Sequence, residues 1–200
     1  MIDLALDFLQ SQLNIYLHTK LNPPPAGDAI ILLNVSQLQE ASGGGGNNNQ
    51  QLNAYLTLVN VEEDRINKLQ ENFLKKDNST LYKNPEIYLN LYVLFSVNLI
   101  SYEEALRRLS FIIQFFQQQN VFDHVNSPTL DPRIVKLIVD MYSMNFEQLN
   151  HLWGILGGKY LPSVLYKIRR VTVDEEATIS EAGFIKEIQL NEKSKQPVSE

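Results

Sequence analysis

The chain contains no cysteine. Disulfides and thiolate chemistry are therefore excluded, and a zinc site would lack its commonest ligand. Basic residues are also scarce: 17 Lys and Arg against 23 Asp and Glu give a formal net charge of -6. That balance disfavours a general nucleic-acid binder, whose phosphate contacts need a basic surface. Long apolar runs are missing, so no membrane span is expected. Asp3 and Asp7, with no early Lys or Arg, do not read as a secretory signal. The only histidines, His18, His124 and His151, form no HxxxH or HxxE pattern. They read as surface or satisfied side chains rather than a metal trio. Ser163 follows a proline and lacks the GxSxG frame of a nucleophile elbow. No cofactor, metal site or catalytic set is expected.

What is present is core-forming material. At 44% hydrophobic and 20% charged, 200 residues suit one good-sized domain, or a domain plus an arm. Residues 87–100, IYLNLYVLFSVNLI, are apolar at every odd position. Period-two alternation makes them a strand with one wholly apolar face, placed inside a sheet because the other face is half apolar. Ser101 and Glu104 then stand at capping-box spacing. They open a helix with Ala105, Leu109, Ile112, Ile113 and Phe116 on one side. This strand and helix are read as the centre of the core.

Upstream, residues 2–20 predict a helix with Ile2, Leu6, Leu9, Leu13, Tyr16 and Leu17 on one face, stopped by Asn22 and three prolines. Residues 29–35 predict a short buried strand. Residues 42–51, SGGGGNNNQQ, predict a mobile surface loop; a phosphate cradle would need a terminal Gly-Lys-Ser/Thr. Residues 52–61 predict a strand paired with the previous one. Glu62, Glu63 and Asp64 predict the acidic start of a helix-prone segment reaching Lys76. Residues 77–80 and 84–85 carry turn chemistry.

Downstream, residues 134–142 are a strand candidate with helix as the rival. Asn145 and Gln148 open a short helix through Trp153, ended by Gly157 and Gly158, with Trp153 as a core anchor. Residues 160–173 predict a long strand. After it the composition turns polar. Residues 174–190 read as a β-capable arm that packs elsewhere, and residues 191–200 as disordered. Lys159, Lys167, Arg169 and Arg170 form the only dense basic patch, either meeting an acidic partner or lying on a solvated strand face. The residues alone stop at an α/β domain without chemistry.

Several stretches resemble a known family: IDLALDFLQSQLNIYL from Ile2, LTLVNVEE from Leu56, NPEIYLNLYVLF from Asn84, residues 102–116, and LWGILGGKYLPSVLYKIRRV from Leu152. They resemble the cap, or tail-terminator, proteins of extracellular contractile injection systems of the antifeeding prophage and Photorhabdus virulence cassette type. The resemblance covers residues 1–175. It implies an α+β fold, a mixed, largely antiparallel sheet with helices packed against it, over residues 1–173; the C-terminal extended arm and tail over 174–200 are read from the change in composition. It implies a homohexameric ring on the baseplate-distal end of the inner tube, which ends tube growth and joins the last sheath layer. The implied partners are further copies of the chain, the inner tube protein and the sheath protein, with no nucleic acid and no direct membrane contact. Assembly in the bacterial cytoplasm, in a particle that can be released, follows from the same resemblance. On top of it, the arm is expected to add as a strand to a neighbouring subunit or sheath protein through Ile179, Phe184, Ile185, Ile188 and Leu190. The alternative is a stand-alone ligand-binding α/β domain, which should show a pocket with convergent titratable groups.

Overall fold

The computed structural model describes residues 1–40, 52–64, 73–76, 79–83, 87–157, 159–173 and 178–183. The expected loop over residues 42–51 and the tail over 191–200 lie outside the described residues. In chain order the elements are α1 (Ile2–Lys20), β1 (Ile30–Leu32), α2 (Gln37–Glu40), β2 (Asn53–Glu63), β3 (Phe73–Lys76), β4 (Ser79–Lys83), β5 (Ile87–Asn98), α3 (Tyr102–Gln118), β6 (Val121–Asp123), β7 (Lys136–Tyr142), α4 (Phe146–Ile155), β8 (Ser163–Val173) and β9 (Thr178–Gly183). The chain divides into two compact units. One holds Met1–Lys68 and Ile87–Val173, the other Leu69–Glu86 and Asp174–Glu200.

The first unit carries a six-stranded sheet in the order β1-β2-β5-β8-β7-β6. Only β1 and β2 run parallel; every other neighbouring pair is antiparallel. The architecture is therefore α+β, mixed and largely antiparallel. The strand at 87–98 is internal, with β2 on one side and β8 on the other. Its odd residues Leu91, Val93, Phe95 and Val97 point into a core with Leu9, Leu13 and Leu17 of α1 and Ala105, Ile112 and Phe116 of α3. Burying each such large side chain stabilises the fold by about 1.5–3 kcal/mol. Ser101 caps α3, its hydroxyl accepting from the Glu104 N–H. The even residue Leu94 faces the opposite side, into a smaller core with Tyr55, Leu165 and Trp153 of α4. Asn145 and Gln148 form the full reciprocal cap of α4. Gly157, at φ 105, turns the chain away after it, a conformation glycine reaches without strain.

Three expectations need correction. Glu62 and Glu63 do not start a helix. They finish β2, where Glu62 stands opposite Asn90 and Glu63 opposite Leu89. A ladder partner satisfies these backbones, and that outweighs a weak local helix preference. Residues 73–76 likewise form β3, paired with β4, rather than helix; residues 65–72 are outside the described residues. Ser79 and Thr80, read as turn chemistry, are the first residues of β4. At 134–142 the strand reading holds, as β7.

The second unit carries a three-stranded sheet in the order β3-β4-β9. Residues 178–183 of the arm form β9 and pair antiparallel with β4 of the same chain, with Ser79 opposite Gly183 and Thr80 opposite Ala182.

Candidate interface on the α4 side of the sheet

Two β-bulges decide which side chains share the α4 side. The register of β2 against β5 slips between Leu58 and Asn60, so Val59 is one residue too many. Leu56 and Leu58 pack on the α1–α3 side. Without the bulge the even-numbered Glu62 would join them, because an uninterrupted strand repeats its faces every second residue. With it, Asn60 stands opposite Tyr92 and Glu62 opposite Asn90. The second slip lies between Leu89 and Leu91 of β5, where Leu89 faces Val171 and Leu91 faces Ile168. The extra residue is on β8, and Arg170 takes φ 69 there. This is why Ile168 and Val171, three apart, both reach the α1–α3 core.

A charged and aromatic row results, crossing four strands. Tyr92 donates its hydroxyl hydrogen to Glu62 Oε2 at 2.7 Å. Lys167 Nζ lies 3.4 Å from the same oxygen and 5.2 Å from the centre of the Tyr92 ring. Tyr142 stands edge-on to Tyr92, ring centres 5.3 Å apart. Beyond it, Arg169 donates to Asp140 Oδ2 through Nε at 2.9 Å and through Nη2. The Tyr92 hydroxyl, then Lys167, hold the Glu62 carboxyl below its ordinary range. Burial, then the Glu62 carboxylate, push the Tyr92 phenol up. The bond with Tyr92, then Glu62, raise Lys167.

The row borders a cleft of about 450 Å3 lined by Val59, Tyr92, Tyr142, Met144, Leu152 and Leu165. Beside it α4 leaves large apolar side chains in water: Phe146 is 91% exposed and Ile155 is 82% exposed. Trp153 is the buried residue of that helix, as expected of an anchor. An apolar surface rimmed by paired charges suits protein contact rather than bond-making chemistry.

The structure treats the expected site residues differently. Lys167 and Arg169 are brought together on the α4 side, but each meets a carboxylate, so the basic patch is half neutralised within the chain. The side chains of Lys159 and Arg170 have no ion pair or hydrogen bond among the described residues. Ile179 lies in β9; Phe184, Ile185, Ile188 and Leu190 lie outside the described residues. His18, His124 and His151 sit apart and exposed on α1, after β6 and on α4. Among the described residues no group of three His, Asp or Glu could hold a metal, and no helix is long and apolar enough to cross a membrane. Glu62, Asp140, Tyr142, Phe146 and Ile155 were not singled out as site residues by sequence reasoning. Alternation was legible, but a bulge that switches Glu62 between faces leaves no local signature.

A family model described as the Pvc16 N-terminal domain matches residues 6–187. Two structures solved by cryo-EM share the fold. One is the sheath/tube terminator of an extracellular contractile injection system, PVC, in the extended state, with TM-score 0.66 and 12% identity. The other is the tube-terminating cap of the anti-feeding prophage, with TM-score 0.62 and 12% identity. The alignments cover 100% and 96% of this chain, and 65% and 61% of those chains. This chain thus spans less than two thirds of the length of the solved proteins it matches. No curated protein matches it.

Proposed function

This chain belongs to the Pvc16 N-terminal domain family, and from that premise we propose that it is a structural cap that ends the inner tube of a contractile injection system and joins it to the last sheath layer. The observation that carries this reading is the likeness of fold, over 100% and 96% of the chain, to a sheath/tube terminator and a tube-terminating cap. The apolar α4 surface supports it as well, since a subunit that stacks on protein needs such a face. We assign the chain no enzymatic activity. Its partners are copies of itself in a six-membered ring, the tube protein and the sheath protein. It assembles in the bacterial cytoplasm.

Because β9 completes a sheet within its own chain, the apolar residues beyond it, Phe184, Ile185, Ile188 and Leu190, are the ones we assign to a neighbouring subunit or the sheath, with Ile179 inside β9. The cations Lys159 and Arg170, whose side chains have no partner among the described residues, are assigned to an acidic partner surface.

The test is to mix the purified chain with purified inner tubes and image them. Binding at one tube end, with no further elongation there, is the expected result. A chain truncated after residue 183 should still bind tubes but lose the sheath. Binding along the tube wall, or none, overturns the capping reading; full sheath attachment by the truncated chain overturns the arm assignment.

A further inference from the structure

We infer that Asn14 and Asn126 close the two outer edges of the six-stranded sheet, so that this sheet takes no strand from another chain. The inference goes beyond the capping role and does not depend on it. An edge strand exposes unpaired N–H and C=O groups that template pairing with other chains. A subunit built to stack in a defined order gains from blocking that route.

The outer strands are β1 and β6, three residues each. In β1, Leu33 N–H reaches Leu56 O on β2, so odd residues face β2 and Ile30 faces outward. Asn14 of α1 meets it there. Its Oδ1 accepts from Ala29 N at 2.7 Å and Ile30 N at 3.0 Å, and its Nδ2 donates to Ile30 O at 3.1 Å. Gln10 Nε2 adds a donor to the same oxygen at 3.3 Å. In β6, Asn120 O accepts from Val139 N, so even residues face β7 and Val121 and Asp123 face outward. Asn126 meets them, its Oδ1 accepting from Asp123 N at 3.0 Å and its Nδ2 donating to Val121 O at 3.0 Å. Ser127 N–H takes the Asp123 carbonyl at 2.8 Å. At both edges a side-chain amide presents its acceptor and donor side by side, as the peptide group of a next strand would. The two asparagines come from unrelated elements, a helix and a turn, and reach the same solution.

The first measurement is amide hydrogen exchange on the native chain. Ile30 and Asp123 should exchange at least about ten-fold more slowly than the outward-facing Leu32 and Val121, whose N–H groups have no side-chain acceptor among the described residues. Equal rates, or equal protection of all four, overturn the inference, the latter because a covering strand would protect the whole edge. The second is light scattering over a concentration series on Asn14→Ala/Asn126→Ala, with folding checked by circular dichroism. The double variant should gain a larger species absent from the parent. Adding Val121→Pro, which removes an outward N–H at the first strand position, should shrink it. A folded double variant with the parent's mass distribution, or growth that Val121→Pro leaves untouched, also overturns the inference. If the double variant does not fold, the exchange measurement decides alone.

Discussion

Tyr92 on β5 donates to Glu62 on β2 across 2.7 Å, and the pair exists because Val59 bulges out of register. The depressed Glu62 carboxyl has a definite consequence for pH. A group whose folded pKa lies below its unfolded value contributes stability above the unfolded value and loses it as the pH falls through the folded one. The ordinary value is 4.5. Glu62→Gln should therefore be less stable than the parent at neutral pH, with the gap closing below pH 4.5. Urea denaturation at stepped pH measures it, and a gap unchanged down to pH 3 (roughly a unit and a half below that ordinary value) sinks the assignment.

Phe95 and Phe146 should behave as opposites. Phe95 is fully buried, 5.4 Å from Phe116 and 5.6 Å from Tyr166 between ring centres. Phe95→Ala should cost about 3–5 kcal/mol through lost transfer energy and the cavity left behind. Phe146 lies in water, so Phe146→Ala should change stability by less than about 0.5 kcal/mol. Its effect belongs on assembly: with Ile155→Ser it should weaken binding to tube, sheath or neighbouring subunit. Denaturant titration reads the first quantity and a tube-binding assay the second.

Arg170 pays for the bulge in β8. At φ 69 an L side chain is crowded, whereas glycine is not. Arg170→Gly should stabilise by up to about 1 kcal/mol, while the β-branched Arg170→Val should cost about 1–3 kcal/mol. If glycine and valine give the same stability, Arg170 is not in the left-handed region.

Asp131 is held at about 2 by hydrogen bonds from the Arg133 side chain and backbone, against an ordinary 3.8. The carboxylate's contribution is present above pH 3.8 and is lost between there and pH 2. Arg133→Ala should bring the carboxyl back towards 3.8, read by NMR titration. An unmoved value would mean that the backbone bond alone holds it down.

Residue types and their spacing settled the strong elements. Alternation from Ile87 onward, the apolar stripe of α1 and the Ser101 and Asn145 caps are local facts, each carried by neighbours along the chain. The same applies to Trp153 as an anchor. The family resemblance supplied what these local patterns do not hold, membership of the Pvc16 N-terminal domain family. Where the local signal was weak, pairing partners far away decided. Glu62 and Glu63 favour a helix start by themselves, yet β5 offers them a ladder. Phe73–Lys76 and Ser79–Lys83 become strands by pairing with each other. The candidate surface was least legible of all. The row from Glu62 to Asp140 depends on two one-residue slips, and a slip reverses every side chain beyond it. Sequence alone determined which segments could fold and what they could bury, because propensity and periodicity act over a few residues. Only tertiary structure decided which charges meet, which apolar side chains stay in water and which strand edges are closed, because those follow from register between strands tens of residues apart.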